Sequence, residues 1–205
     1  MTLSVRTREI AGTDSLLDAV PERAGVPRFV FLRDGEGLVA SGVSATIDVG
    51  TGPGRLASAG RQVADLAATG DIDDPLGMAG SGLVAMGSFT FDPGAPGSIL
   101  VVPRVVVGRR AGVTWRTEVS VDGPEVVPPE EPSVAPRRKD RVRFGGSSLR
   151  DEEWLAAVAR GVTEIREGRI EKVVLARDQF LWARRPFDVG ALVEAGVGLE
   201  GLGPA

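Results

Sequence analysis

The sequence predicts an α+β protein: a largely antiparallel sheet with packed helices. Three observations lead there. Between residues 81 and 121, apolar β-branched runs follow one another across short Gly/Pro turns, which suits a meander better than a βαβ array. Within that region, Val113, Trp115, Thr117, Val119 and Val121 alternate with polar residues, the period of a strand with one buried face. Two further stretches, about 55–68 and 148–168, place apolar residues at helical spacing instead.

Taken in order, Thr13 or Asp14 can cap a short helix with Leu16, Leu17 and Val20 facing inward, ended by Pro21. Phe29-Val30-Phe31-Leu32-Arg33 reads as a strand. Asp34-Gly35-Glu36-Gly37 supplies the turn before Leu38-Val39-Ala40-Ser41, so a hairpin is expected. A strand over 44–49 leads into Gly50-Thr51-Gly52-Pro53-Gly54. That cluster has the spacing G-x-G-x-G, Pro53 removes a donor, and no second strand is expected before Asp74. A dinucleotide site is rejected on those grounds. Gly54 instead opens a helix with Leu56, Ala59, Val63, Leu66 and Ala67 on its apolar face. Asp71, Asp73 and Asp74 lack the later glutamate of a calcium loop and read as a solvated acidic turn.

Beyond residue 81, one strand is expected through Leu83-Val84-Ala85-Met86 toward Phe89 and Phe91. Ile99–Val102 and Val105–Val107 form others, broken at Pro103. Trp115 and the phenylalanines are assigned to the core. Residues 123–136 interleave prolines with glutamates and read as an extended connection, running into Arg137-Arg138-Lys139-Asp140-Arg141-Val142-Arg143. No stacking aromatics interrupt that basic run, so it is read as solvated connector and not as an RNA site. Ser148 with Asp151 has capping-box spacing, Asp151, Glu152 and Glu153 suit a helix N-terminus, and Trp154, Val158, Val162 and Ile165 form the inward stripe. Gly168 ends the helix, which is expected to pack on the sheet. Asp188 caps a final helix through Leu192 and Val193. Residues 196–205 then place glycine at nearly every second position, which sustains neither helix nor strand.

These readings divide the chain into an α+β region (1–122), a Pro-rich then basic connector (123–147), a second structured region (148–195) and a Gly-rich tail (196–205). With 42% apolar and 25% charged residues, the composition is that of a soluble globular protein. There is no cysteine and no histidine, so thiolate chemistry, Ser-His-Asp triads and histidine metal sites are excluded. Acid–base chemistry must therefore use Lys, Asp or Glu. A net charge of −4 argues against general nucleic-acid binding. No apolar run has the length of a signal-peptide core or membrane span, and a cytoplasmic location is expected.

Of 24 basic residues, the only lysines are Lys139 and Lys172. Lys172 opens Lys172-Val173-Val174-Leu175-Ala176-Arg177, a β-branched run read as a buried strand just past Gly168. Partial desolvation at the mouth of such a strand favours a neutral amine that can act as a base, a role arginine cannot fill. Spacing alone leaves the other reading open: a solvated lysine guarding a sheet edge.

This motif, following Ile165-Arg166-Glu167-Gly168, closely resembles the isochorismate synthases of the chorismate-utilising enzymes. Supporting matches are Gly87-Ser88-Phe89-Thr90-Phe91-Asp92, Phe29-Val30-Phe31-Leu32-Arg33-Asp34-Gly35 and Pro186-Phe187-Asp188, within a stretch of roughly 28–193. The resemblance implies the N-terminal part of the chorismate-binding (anthranilate synthase component I-like) fold. It implies Lys172 as the base activating water for attack on C2 of chorismate, with loss of the C4 hydroxyl. It also implies Mg²⁺, and a full-length member that is monomeric. The family's general acid and Mg²⁺ ligands have no matching motif in this sequence, so no other catalytic or metal residue is transferred.

The resemblance stops where the Gly-rich tail begins, and a premature end is the expectation, with inactivity and self-association of this chain alone. Salicylate synthase-like chemistry and a non-catalytic interaction module are the alternatives. A siderophore or menaquinone role is not distinguished.

Overall fold

A computed structural model describes residues 3–20, 22–23, 25–121, 143–185 and 187–197. They fall into two compact units, one formed by Met1–Ala135 with Val197–Ala205, the other by Pro136–Gly196. The expectations for the Pro-rich connector, for Lys139 and its basic neighbours up to 142, and for the tail from 198 onward lie outside the described residues.

The first unit holds a six-stranded sheet in the order β2-β3-β8-β9-β1-β5 and a three-stranded sheet in the order β4-β7-β6. Its strands are β1 (Leu3–Glu9), β2 (Arg28–Arg33), β3 (Glu36–Ser41), β4 (Ala45–Asp48), β5 (Asp71–Asp73), β6 (Met86–Ser88), β7 (Ile99–Val102), β8 (Val105–Arg110) and β9 (Val113–Val121). Helix α1 (Arg55–Thr69) lies between β4 and β5. All the strand pairs are antiparallel except β1 with β5, so the mainly antiparallel α+β expectation holds.

The β2–β3 hairpin forms because Asp34 and Gly35 both take positive φ (53° and 75°), the twist that lets a two-residue turn join right-twisted strands. Strand β8 is buried at Val105, Val106, Val107 and Gly108, as befits a central strand covered on both faces. Pro103 breaks β7 from β8 as expected, and the chain changes sheet there. The core lies between the two sheets: Leu3, Val5 and Val119 come from the larger and Ile47 and Val102 from the smaller. Val63 and Leu66 of α1 pack against this cluster.

Strand β1 was not anticipated, yet Leu3 and Val5 are among the most buried side chains and pair with Val121 and Val119. Five other expectations need correction in this unit. Residues 16–19 form a turn, not a helix, although Leu16, Leu17 and Val20 are buried as predicted. So short a segment cannot offset the cost of helix nucleation, and Asp18 N–H donates instead to the Ser15 carbonyl at 3.2 Å. Asp71–Asp73 is an edge strand parallel to β1, held partly by an Arg6–Asp71 ion pair, and not a free acidic turn. The βα segment it closes joins different sheets, so the rejected dinucleotide site does not return. Residues 83–85 lie outside β6, and Leu56 is exposed on α1, whose buried first-turn residue is Arg55. Arg55 donates to the carbonyls of Gly52 (3.3 Å) and Thr90, tying the glycine cluster to the loop after β6. Finally, Trp115 is core but the phenylalanines are not. Phe31 is 74% exposed on the outer face of edge strand β2, and Phe91 stands in an exposed turn.

The second unit contains β10 (Arg143–Phe144), α2 (Asp151–Arg166), β11 (Leu181–Trp182) and α3 (Val189–Val197), with β10 and β11 antiparallel. Helix α2 has the predicted span and acidic first turn, but its N-cap is Arg150, whose backbone N–H is accepted by Glu153 Oε2 at 2.9 Å. Ser148 is engaged elsewhere. No residue of α2 is buried, so within this unit and among the described residues its apolar stripe is left uncovered. Asp188 caps α3 as predicted, accepting the Ala191 N–H at 2.9 Å.

Candidate functional site

Helix α2 ends at Gly168, whose φ of 73° is the left-handed value expected of a terminating glycine. Its N–H donates to the Ile165 carbonyl and that of Arg169 to Glu164, both at 3.0 Å, so the helix stop is well defined. Arg169 then holds the Glu164 carboxylate (2.8 Å) and pushes it below the usual glutamate range. The chain thus leaves α2 in a fixed geometry immediately before Lys172.

The strand predicted over 173–175 is not formed, and Lys172 is exposed with it. Val174 is 87% exposed. Among the described residues no strand lies alongside to complete the ladder, and a lone strand is not stable in water. The desolvation expected at a strand mouth is therefore missing around Lys172 in this structure.

Arg177, at the end of the same motif, is placed quite differently. Its guanidinium donates to Ser147 Oγ at 2.9 and 3.0 Å, to the Leu149 carbonyl at 3.2 Å, and to Asp151. Next to it, Asp178 Oδ1 accepts from the Ser148 N–H at 2.9 Å and the Ser148 hydroxyl at 2.6 Å. These contacts tie residues 177–178 to the chain entering α2. They border an open cleft of about 370 Å³ lined by Gly146, Ser147, Leu149, Arg150, Asp151, Glu152 and Arg177. Lys172 is not in its wall. Sequence reading found Arg177 only as part of a strand, and missed Ser147 and Asp178; the adjacent serines before an acidic helix start were the available signal.

Beside the cleft, two carboxyls are shifted toward their charged form. The Ser148 hydroxyl, then its backbone N–H, holds the Asp178 carboxyl below the usual aspartate range, and nearby Arg177 acts in the same direction. The Arg150 guanidinium does the same to Glu153. A general acid needs the opposite shift. Among the described residues no three Asp or Glu side chains stand together as a metal-binding group. No helix among the described residues is long and apolar enough to cross a membrane.

The lowered carboxyls make a pH prediction. A depressed folded-state pKa adds stability above the unfolded value, near 4, that is lost as pH falls through the folded value. Far-UV circular dichroism melts should show the second unit weakening below about pH 4. Ser148→Ala, by returning Asp178 toward its ordinary range, should flatten that dependence; an unchanged acid profile would remove Asp178 from the account.

Compared with known proteins, the chain matches no family model, no curated protein and no solved structure.

Proposed function

We propose that this chain supplies the N-terminal part and the water-activating base of an isochorismate synthase-like enzyme acting on chorismate. The observation that supports the reading is the placement of Lys172-Val173-Val174-Leu175-Ala176-Arg177 four residues after a glycine-terminated helix. Lys172 is one of two side chains in the sequence that combine a cation with a removable proton, the other being Lys139. On this reading Val173–Leu175 becomes a strand when a neighbouring strand pairs with it, and that pairing supplies the desolvation that Lys172 lacks here. Residues 148–195 begin the chorismate-binding region, the first unit belongs to the same anthranilate synthase component I-like fold, and the setting is cytoplasmic. Mg²⁺ and the general acid come from outside the residues described.

A second reading, a non-catalytic interaction module, is favoured by the exposure of Lys172 and of the apolar residues Val174, Leu155 and Trp182. One assay separates the two. The purified chain, given chorismate and Mg²⁺, should form no isochorismate by itself, whereas addition of the C-terminal half of an isochorismate synthase should restore turnover if Lys172 is the base. The missing acid alone is worth about 10²–10⁴-fold. Robust turnover by the chain alone would contradict the proposed division of catalytic groups. Failure of every complementing half would leave the module reading in place.

A further inference from the structure

Helix α2 presents Glu152, Leu155, Ala159, Val162 and Arg166 to solvent. Their spacing alternates three and four residues, the step that keeps side chains in one seam between paired helices. Leu155 is 66% exposed and Val162 39%. A different side of the helix is already met by the chain itself, since a Cβ at Gly161 would stand 3.0 Å from Val173. Among the described residues neither Glu152 nor Arg166 has an ion-pair partner, whereas Glu153, Glu164 and Asp151 are taken by Arg150, Arg169 and Arg177.

The seam has an internal symmetry about Ala159. Seven residues before it stands an acid and seven after it a base. Leu155 and Val162 lie between, and the residue at the centre is small enough for close approach. A two-fold axis through Ala159 brings Glu152 of one copy to Arg166 of the other, and does so twice. In the same register Leu155 falls within one residue, about 1.5 Å along the axis, of Val162 of the second copy. Parallel pairing instead opposes Glu152 to Glu152 and Arg166 to Arg166, so charge selects the antiparallel arrangement.

We propose that two copies of this chain associate through α2 as an antiparallel helix pair along this seam. The inference rests on the surface of α2 and is independent of the chorismate reading. With two heptads in contact and no wider apolar face required, the pair is a reversible dimer sensitive to salt.

Sedimentation velocity on the full chain over a concentration series tests this. A monomer–dimer equilibrium is expected. Glu152→Arg and Arg166→Glu singly should each raise the dissociation constant by about tenfold or more, since each opposes like charges. The double variant E152R/R166E re-forms both pairs with signs exchanged and should return the constant to within about threefold of the parent. Leu155→Gln should weaken the dimer without touching a charge, and circular dichroism reports whether any variant has lost helix. Phe31→Lys, on edge strand β2, should leave the dimer intact. A monomer at every concentration, association that continues past two copies, failure of the charge exchange to rescue, or loss of the dimer in Phe31→Lys would each overturn the proposal.

Discussion

Trp115→Ala is expected to cost the first unit about 3–5 kcal/mol, the usual loss for deleting a fully buried aromatic. Trp115 is 1% exposed, and on the Gly108 side its ring leaves no room for a side chain. A Cβ on Gly108 would come within 2.4 Å of the indole, and one on Gly80 within 3.6 Å. The indole N–H donates to the Gly80 carbonyl at 3.3 Å, so truncation leaves both a cavity and an unmet acceptor. Against a typical total of roughly 5–15 kcal/mol, such a loss leaves the unit near its unfolding threshold. Urea melts by far-UV circular dichroism should show the midpoint falling sharply. Gly108→Ala should fall too, because its neighbour is a rigid ring that cannot swing away. A loss under 1 kcal/mol for Trp115→Ala would place the centre of the unit elsewhere.

The sequence made this centre readable because one face of β9 is apolar and the other carries polar and charged side chains. Burial of Trp115, Thr117 and Val119 follows the period-two alternation that a half-buried strand imposes. Helices α1 and α2 were readable for the same reason at a different period, and Gly168 and Asp188 because caps act within a few residues. The strand at Leu3–Glu9 was obscured by its charges: Arg6 and Arg8 occupy the outer face, and only the ladder with β9 shows the inner one. The phenylalanines misled because hydrophobicity says that a side chain prefers burial, not that the fold has room for it. Val173–Leu175 is the sharpest difference. Its propensity is that of a strand, but a strand is a property of a pair, and no partner lies among the described residues. The motif was therefore legible while its site was not.

Lys172→Arg carries the largest expected functional effect, in the complemented assembly where the base has its acid and metal. Lys172→Ala removes the amine and should lower turnover by about 10²–10⁴-fold. The arginine variant should fall about as far, for a different reason: its charge is retained, but a guanidinium does not release its proton at working pH and so cannot accept one from water. Comparing the two separates proton transfer from simple charge pairing with the carboxylates of chorismate. If Lys172 acts only as a cation, arginine rescues most of the activity and alanine does not. If it acts as the base, both variants fail while each still binds the complementing half, because Lys172 is exposed and supports no packing in this chain. The measurement is isochorismate formation under saturating chorismate and Mg²⁺, with assembly checked by co-elution. Near-parental turnover in Lys172→Arg would sink the assignment of Lys172 as the base.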